Sequence, residues 1–342
     1  MKTIIFNVGS TNLKYNLYDK RQITQRKIYY KNSKQLKDKI KKVLSFKPDL
    51  IIHRVVHGGD MKNSVITNSI LKKLEKLNEL APLHNPRQLE VIKICRRLSK
   101  AKQIAVFDTA FFLDLPKISK TYALPKKLAK KYHIQRYGFH GINHRFMESY
   151  VKKRKVITCH LGAGSSITAW SNHKPLDTSM GFTPLEGVMM VTRTGSIDPS
   201  IALFLQEKLK LTPKNVLKLL NEKSGFYGLT GSKDIEKIVN QRKKYRLAFE
   251  LFCYSIAKQI SAYVATLNGL DCLVFSGGIG ELSWPTRERI CSYLKHLGLK
   301  LSRTDNIKNK EVISSSYSKI KVFVVKANEA EVMLGEVKKI LK

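Results

Sequence analysis

The chain has 342 residues, beyond the size at which one hydrophobic core usually stops growing, so two domains are expected. With 43% hydrophobic and 26% charged residues it is neither disordered nor fibrous. Its 63 basic and 26 acidic residues give a formal net charge of +37, but the cations are scattered over helical faces such as KQLKDKIKKVL (34–44), LPKKLAKKY (124–132) and NQRKKY (240–245), with no nucleic-acid motif beside them; nucleic acid is set aside and the charge read as a solvated surface that also draws small anions.

In chain order, KTIIFNV (2–8) reads as a buried strand stopping at Gly9, and LKYNLYD (13–19) as the second arm of a hairpin. A Lys-rich amphipathic helix (34–45) leads to PDLIIHRVVHGG (48–59), an apolar strand ended by a glycine pair. Helices are expected at 69–80 and 86–98, a strand at 104–112 (IAVFDTAFF) and a helix at 141–153. KVITCHLGAGSSITAWS (155–171) then repeats the opening hairpin. Helices follow at 198–209, 213–222 and 246–268, then a strand at 272–278, a helix at 284–297, a strand at 321–326 and a closing helix from about 328. Strands alternating with helices, with Gly or Asp where strands end, make an α/β chain whose ligands bind at the carboxyl ends of strands. Two similar halves imply a duplication with a cleft between them.

The five cysteines stand alone with no CxxC pair, so neither a disulfide framework nor a thiolate zinc site is indicated and a reduced, cytoplasmic setting follows. No apolar run suits a signal peptide or a membrane span, and no membrane partner is expected. His53/His57 and His140/His144 have i, i+4 spacing, but without HExxH or a thiolate partner zinc is not favoured.

A hairpin whose turn is Gly plus Ser or Thr offers backbone N–H groups and short hydroxyls to an anion. Gly9-Ser10-Thr11, followed by Lys14, is one such turn. Gly162-Ala163-Gly164, ending in the hydroxyls of Ser165 and Ser166, is the other, and two of them suit a two-sided phosphate clamp.

HRVVHGG (53–59), LAPLHNP (80–86), FDTAFF (107–112), YGFHG (137–141), DTSMGFTPLEGVMMVTRTGSIDP (177–199), SGGIGE (276–281) and NEAEV (328–332), in this order, resemble the acetate kinase family with its propionate and butyrate relatives, within the actin, Hsp70 and sugar-kinase superfamily. The resemblance implies a duplicated actin/hexokinase-like (ribonuclease H-like) two-domain α/β fold. Its N-terminal acyl and phosphate domain would be 1–153 plus 330–342, and its nucleotide domain 154–329. It further implies Mg²⁺-dependent (or Mn²⁺-dependent) transfer between ATP and acetate giving ADP and acetyl phosphate, in a homodimer.

By the same resemblance Arg54 binds the carboxylate, Arg193 and His140 stabilise the transferring phosphoryl group, and Asp108 orients the acyl substrate, roles that guanidinium forks and fixed carboxylates suit. Asn7 and Glu329 match metal-holding positions, and hard oxygens are what Mg²⁺ accepts. Val56, Leu83, Phe139 and Pro184 match the pocket for the acyl methyl. On the nucleotide side stand Ser10, Lys14, His160, Leu161, Gly162, Ala163, Gly164, Asp234, Ile235, Glu236, Gly277, Gly278, Ile279, Gly280 and Glu281. Here the pattern departs from the family: Ala163 replaces an Asn, Glu236 an Arg, Asn12 a Ser, and the stretch between Asp19 and His53 is short. A donor other than ATP, pyrophosphate or another NTP, therefore stays open, as do propionate as acceptor and a non-catalytic ATP-binding module.

Overall fold

In the computed structural model all residues except Ser10, Thr11, Lys20, Arg21 and Lys342 are described, and the chain forms two compact units. Unit 1 is Met1–Leu113, Phe139–Ile142 and Asn328–Lys342; unit 2 is Asp114–Gly138 and Asn143–Ala327.

Unit 1 is built on β1 (Thr3–Val8), β2 (Asn12–Asp19), β3 (Gln22–Tyr29), β4 (Leu50–Val55), β5 (Ser64–Val65) and β6 (Lys102–Phe107), in spatial order β3-β2-β1-β4-β6-β5. β1 runs antiparallel to β2 and parallel to β4, which is parallel to β6. Unit 2 is built on β7 (Lys155–Leu161), β8 (Ser165–Ser171), β9 (Lys174–Thr178), β10 (Cys272–Ser276) and β11 (Lys321–Val324), in order β11-β10-β7-β8-β9. β7 is antiparallel to β8 and parallel to β10, which is parallel to β11. Apart from β5 the two sheets share one plan, a three-stranded meander extended by two parallel strands. The expected duplication is thus written in the topology, and both Gly-containing turns close the first hairpin of their sheet.

Alternation along β1 decides what each face meets. Ile4, Phe6 and Val8 pack with Leu36 and Ile40 of the helix Ser33–Leu44 and Val91 and Cys95 of Asn85–Leu98. Ile5 points the other way, to Met333 and Val337 of the helix Glu329–Leu341. Asn7 shares the parity of Ile5, which brings it toward that helix's first turn. In unit 2 the odd residues Ile157, Cys159 and Leu161 join a core with the helix Arg246–Leu267. The even face carries a buried polar network: His144 bonds the Thr158 and Ser166 hydroxyls at 2.7 Å each, and Trp170 Nε1 donates to Thr158 Oγ1 at 3.0 Å.

Three strands escape the hydrophobic pattern. β3 lies at a sheet edge with residues 23–27 exposed, so it carries no apolar alternation; β9 is an edge strand holding Pro175; β5 has two residues. Four strands, β4, β6, β10 and β11, stop earlier than expected, and two of these ends shape the site. β6 ends at Phe107, and Asp108–Phe112 forms a 3-10 turn. β10 ends at Ser276, after which Gly277, at φ +80°, opens a short helix Gly277–Leu282.

Candidate active site

Within unit 1 the ends of β1, β4 and β6 and the start of the helix Glu329–Leu341 bring four of the expected residues together. Arg54 forks onto Asp108, Nε donating to Oδ1 at 3.3 Å and Nη2 to Oδ2 at 2.8 Å. Its Nη1 donates to Glu329 Oε2 at 2.9 Å and to Asn7 Oδ1 at 3.3 Å, while Asn7 Nδ2 donates to the same Glu329 oxygen at 2.7 Å. Asp108 is fully buried. Burial drives its carboxyl upward, and the Arg54 charge and hydrogen bonds oppose that without cancelling it. Burial disfavours the Arg54 charge, but Asp108 and Glu329 outweigh it and push the guanidinium above its ordinary value. Lys14 sits directly across the hairpin from Asn7, which puts both side chains on one face. Ser10 lies outside the described residues.

Among the described residues no group of three or more His, Cys, Asp and Glu could hold a metal. A cation here would have two hard protein oxygens, from Asn7 and Glu329, and would take its other ligands from phosphate and water, a donor set that fits Mg²⁺ in kinases.

His140 is half-buried with φ +55°, a conformation a non-glycine residue rarely adopts. The next residue must be glycine, because a Cβ at Gly141 would lie 2.1 Å from the Asp108 carbonyl oxygen. Phe139 is buried and meets the His57 ring edge-on at 5.3 Å, beside the buried Val56. Two buried amides missed in the sequence hold this segment: Gln88 Oε1 accepts from Val56 N at 2.9 Å, and Asn85 bonds both backbone groups of His57. They lie in the first turns of the helix that follows the half-buried Leu83, so this segment braces the backbone of Val56 and His57.

In unit 2, His160 and Leu161 end β7 and Gly162, Ala163 and Gly164 form the β7–β8 turn, where Gly162 N donates to Gly164 O at 3.1 Å. Ala163 is exposed, and its carbonyl accepts from Val191 N at 3.3 Å. The Gly277–Leu282 helix lies against the end of β7: a Cβ on Gly277 would come 2.6 Å from the Leu161 carbonyl oxygen, whereas one on Gly278 would meet nothing within 4 Å. Glu281 Oε1 ties this turn by accepting from Gly277 N and Ala327 N, both at 2.9 Å. Ile279 and Gly280 are buried beneath it. Gly277→Ala is therefore expected to prise the two turns apart and cost about 1–3 kcal/mol, and at matched folding it should raise KM for the nucleotide more than KM for the acyl substrate. Steady-state kinetics on both substrates checks this, and an equal effect on both would refute it.

Asp234 caps the helix Ile235–Asn240 by accepting from Lys237 N at 3.0 Å, while Glu236 is exposed in its first turn. Arg193 is buried, and its Nη1 donates to the Pro184 carbonyl at 3.2 Å. Burial lowers its pKa to about 10, so it stays charged at neutral pH. Pro184 is thereby bonded to Arg193 in unit 2, whereas Val56, Leu83 and Phe139 belong to unit 1.

Sequence reading also missed the residues that hold unit 2's loops. Asn143, fully buried, donates to His160 Nδ1 at 2.8 Å and Ser276 Oγ at 3.2 Å, joining the two Gly-rich turns. Arg287, fully buried, donates to the carbonyls of Gly280 and Glu281 at 2.8 and 2.9 Å. Arg136 donates to Glu186 at 2.8 Å and to the Thr178 carbonyl at 3.0 Å, and Tyr122 also bonds Glu186, bracing the loop that carries Pro184. A polar residue on an otherwise apolar helix face was the only clue to Asn143.

His53, in β4, is buried with Nε2 bonded to Gln103 Oε1 at 2.9 Å, and burial lowers its pKa to about 4. The unfolded state takes up the proton first, so the stability His53 contributes is complete above pH 6.5 and falls as pH drops toward 4, by about 3 kcal/mol over that range. Urea titrations at pH 7 and 5 should show His53→Asn losing less stability than the wild type across that interval. An equal loss in both would remove His53 from the account. His144, also held neutral by burial, acts with the same sign.

The model of the acetokinase family matches residues 30–335. An acetate kinase of Carboxydothermus hydrogenoformans is 39% identical over 98% of both chains, and that of Thermoanaerobacter pseudethanolicus 43% identical over 86% of this chain and 78% of its own. Among solved structures, a propionate kinase from Francisella tularensis aligns with TM-score 0.91 and 34% identity over 98% of both chains, and Porphyromonas gingivalis acetate kinase with TM-score 0.87 and 33% identity over the whole of both. With the sheet plan repeated in both units and the motif residues seated at the strand ends, the chain belongs to the acetokinase family.

Proposed function

We propose that this protein is an acetate kinase that transfers a phosphoryl group reversibly and in line between ATP and acetate, giving ADP and acetyl phosphate. The observation that carries the reading is the Arg54–Asp108–Glu329–Asn7 cluster at the strand ends of unit 1. In the forward direction an acetate oxygen forms the new O–P bond, the γ-phosphorus bond to ADP breaks, and ADP leaves with the electron pair. Such a transfer needs positioning and neutralisation of charge more than covalent chemistry from the protein.

Asp108 orients the Arg54 guanidinium through Nε and Nη2, Glu329 and Asn7 hold Nη1, and the remaining Nη2 N–H takes the substrate carboxylate. Arg193 and His140 stabilise the phosphoryl oxygens, and Val56, Leu83, Phe139 and Pro184 enclose the methyl group. One methylene in such a pocket is worth about 1–3 kcal/mol, so propionate is disfavoured by degree. Asn7 and Glu329 would hold Mg²⁺, which when bound neutralises phosphate charge. Lys14, Ser10 and the turns 160–164, 234–236 and 277–281 receive the nucleotide, with 1–153 and 330–342 serving as the acyl and phosphate domain and 154–329 as the nucleotide domain. The enzyme acts as a cytoplasmic homodimer without nucleic-acid or membrane partners; no described helix is long and apolar enough to cross a membrane.

A second reading, a donor other than ATP, is favoured by the exposed methyl of Ala163 and the acidic Glu236 in the turns assigned to the nucleotide. One experiment separates the readings: purified protein with Mg²⁺, acetate and hydroxylamine, given ATP, GTP or pyrophosphate, is assayed for acetyl hydroxamate. Product with ATP supports the proposal, and product with pyrophosphate or GTP alone supports the second reading. Nucleotide binding without product from acetate, propionate or butyrate would reduce the protein to a non-catalytic module.

A further inference from the structure

Unit 2 carries a cavity of about 1030 Å³ whose lining includes none of the residues assigned above to substrate, nucleotide or metal. Its walls are the first turns of the helix Arg246–Leu267, one face of the helix Trp284–Tyr293 and the segment 299–303. The floor is apolar, with Phe249 and Leu299 buried. Cations ring it: Arg242, Lys243, Arg246, Lys295, Lys300 and Arg303, all exposed. A seventh, Arg289, is already committed to Glu250 at 2.7 Å, with Tyr293 OH donating to the same carboxylate oxygen at 2.8 Å.

Two features separate this ring from the diffuse basic surface of the chain. Among the described residues Lys243, Lys295, Lys300 and Arg303 have no ion pair, and the cations of the lining outnumber its two carboxylates, Glu250 and Glu288, the first of which is already paired with Arg289. The internal Glu250–Arg289–Tyr293 arrangement fixes the wall they stand on, and an apolar floor lowers the local dielectric, so an anion held there interacts more strongly than one on an open face. One monovalent anion would leave most of the ring unmatched. We propose that this cavity is a second anion site, separate from the candidate active site, that binds a polyphosphate chain, free or carried by a nucleoside.

The wall also gives the site a reporter. Trp284, half-buried, begins the helix whose Pro285, Glu288, Arg289 and Ser292 line the cavity, while Arg287 on its other side bonds the carbonyls of Gly280 and Glu281. Trp170, the other tryptophan, is buried in β8.

The test is titration of the full-length protein with inorganic tripolyphosphate and, in a second arm, with ATP, read by calorimetry and Trp284 fluorescence at physiological salt. Arg242→Glu/Arg303→Glu should weaken tripolyphosphate binding about tenfold or more, whereas Arg193→Ala should change it by less than about twofold. Lys300→Gln/Arg303→Gln, a milder pair, should weaken it in the same direction. If ATP shows a second binding event that the charge reversal removes, the natural ligand class includes nucleoside polyphosphates; if only tripolyphosphate responds, it is the free chain. The proposal is overturned if the reversal leaves tripolyphosphate affinity unchanged, if Arg193→Ala abolishes binding, or if the control Lys37→Glu/Lys41→Glu, on the exposed face of the helix Ser33–Leu44, weakens it equally.

Discussion

Replacing Arg193 by alanine is expected to lower kcat by about 10²–10⁴-fold while the protein stays folded, because a charge poised for the transferring phosphoryl group acts mainly in the transition state. Arg193 is buried, and the hydrogen bonds it makes to Pro184 and Met190 involve a backbone carbonyl and a thioether. A buried guanidinium keeps its charge in a setting where that charge acts strongly on a nearby anion, and that is what the transfer needs. KM for acetate and ATP should move far less than kcat. The measurement is acyl-phosphate formation at saturating substrates beside thermal melts of both proteins; wild-type turnover in the variant would exclude Arg193 from catalysis.

Arg54→Ala has a different signature, because Arg54 is also structural. Its removal takes the opposite charge away from the fully buried Asp108 and from Glu329, which keeps its bond from the Asn7 amide. Loss of one partner from a buried ion pair costs about 3–5 kcal/mol, so the variant should unfold at clearly lower denaturant as well as lose activity. Arg54→Ala/Asp108→Ala should recover about 1–3 kcal/mol of that stability, since the uncompensated carboxylate is gone, yet remain inactive. If the double variant is as unstable as the two single losses added together, the ion pair is not what Arg54 contributes to folding. The two arginines, alike in sequence as single cations at the heart of motifs, thus predict opposite balances between stability and rate.

Asp108, Arg54 and Glu329 were legible only through the family motifs in which they stand, FDTAFF, HRVVHGG and NEAEV, because taken singly each has an ordinary structural reading. The Gly-rich hairpins were legible from their own local pattern. Residues that act through backbone contacts were not. Asn85, Gln88, Asn143 and Arg287 sit on helices whose sequences look ordinary, and their partners lie far along the chain, as with Asn143 and Ser276. The edge strands β3 and β9 were silent because an edge half in solvent carries no alternation, yet each completes its sheet's meander.

By itself the sequence determined the α/β class, the duplicated hairpin, the family and the residue types that meet at the strand ends, because apolar periodicity and motif order are local properties. The tertiary structure alone decided the rest. Asn7 meets Glu329 because β1 alternates and the closing helix covers its odd face. Asp108 is held against Arg54 because β4 and β6 pair in parallel with Val55 opposite Phe107. Gly141 and Gly277 are fixed because backbone carbonyls from Asp108 and Leu161 occupy the space a Cβ would need. Each is a contact between distant segments, set by packing and register rather than by any local preference.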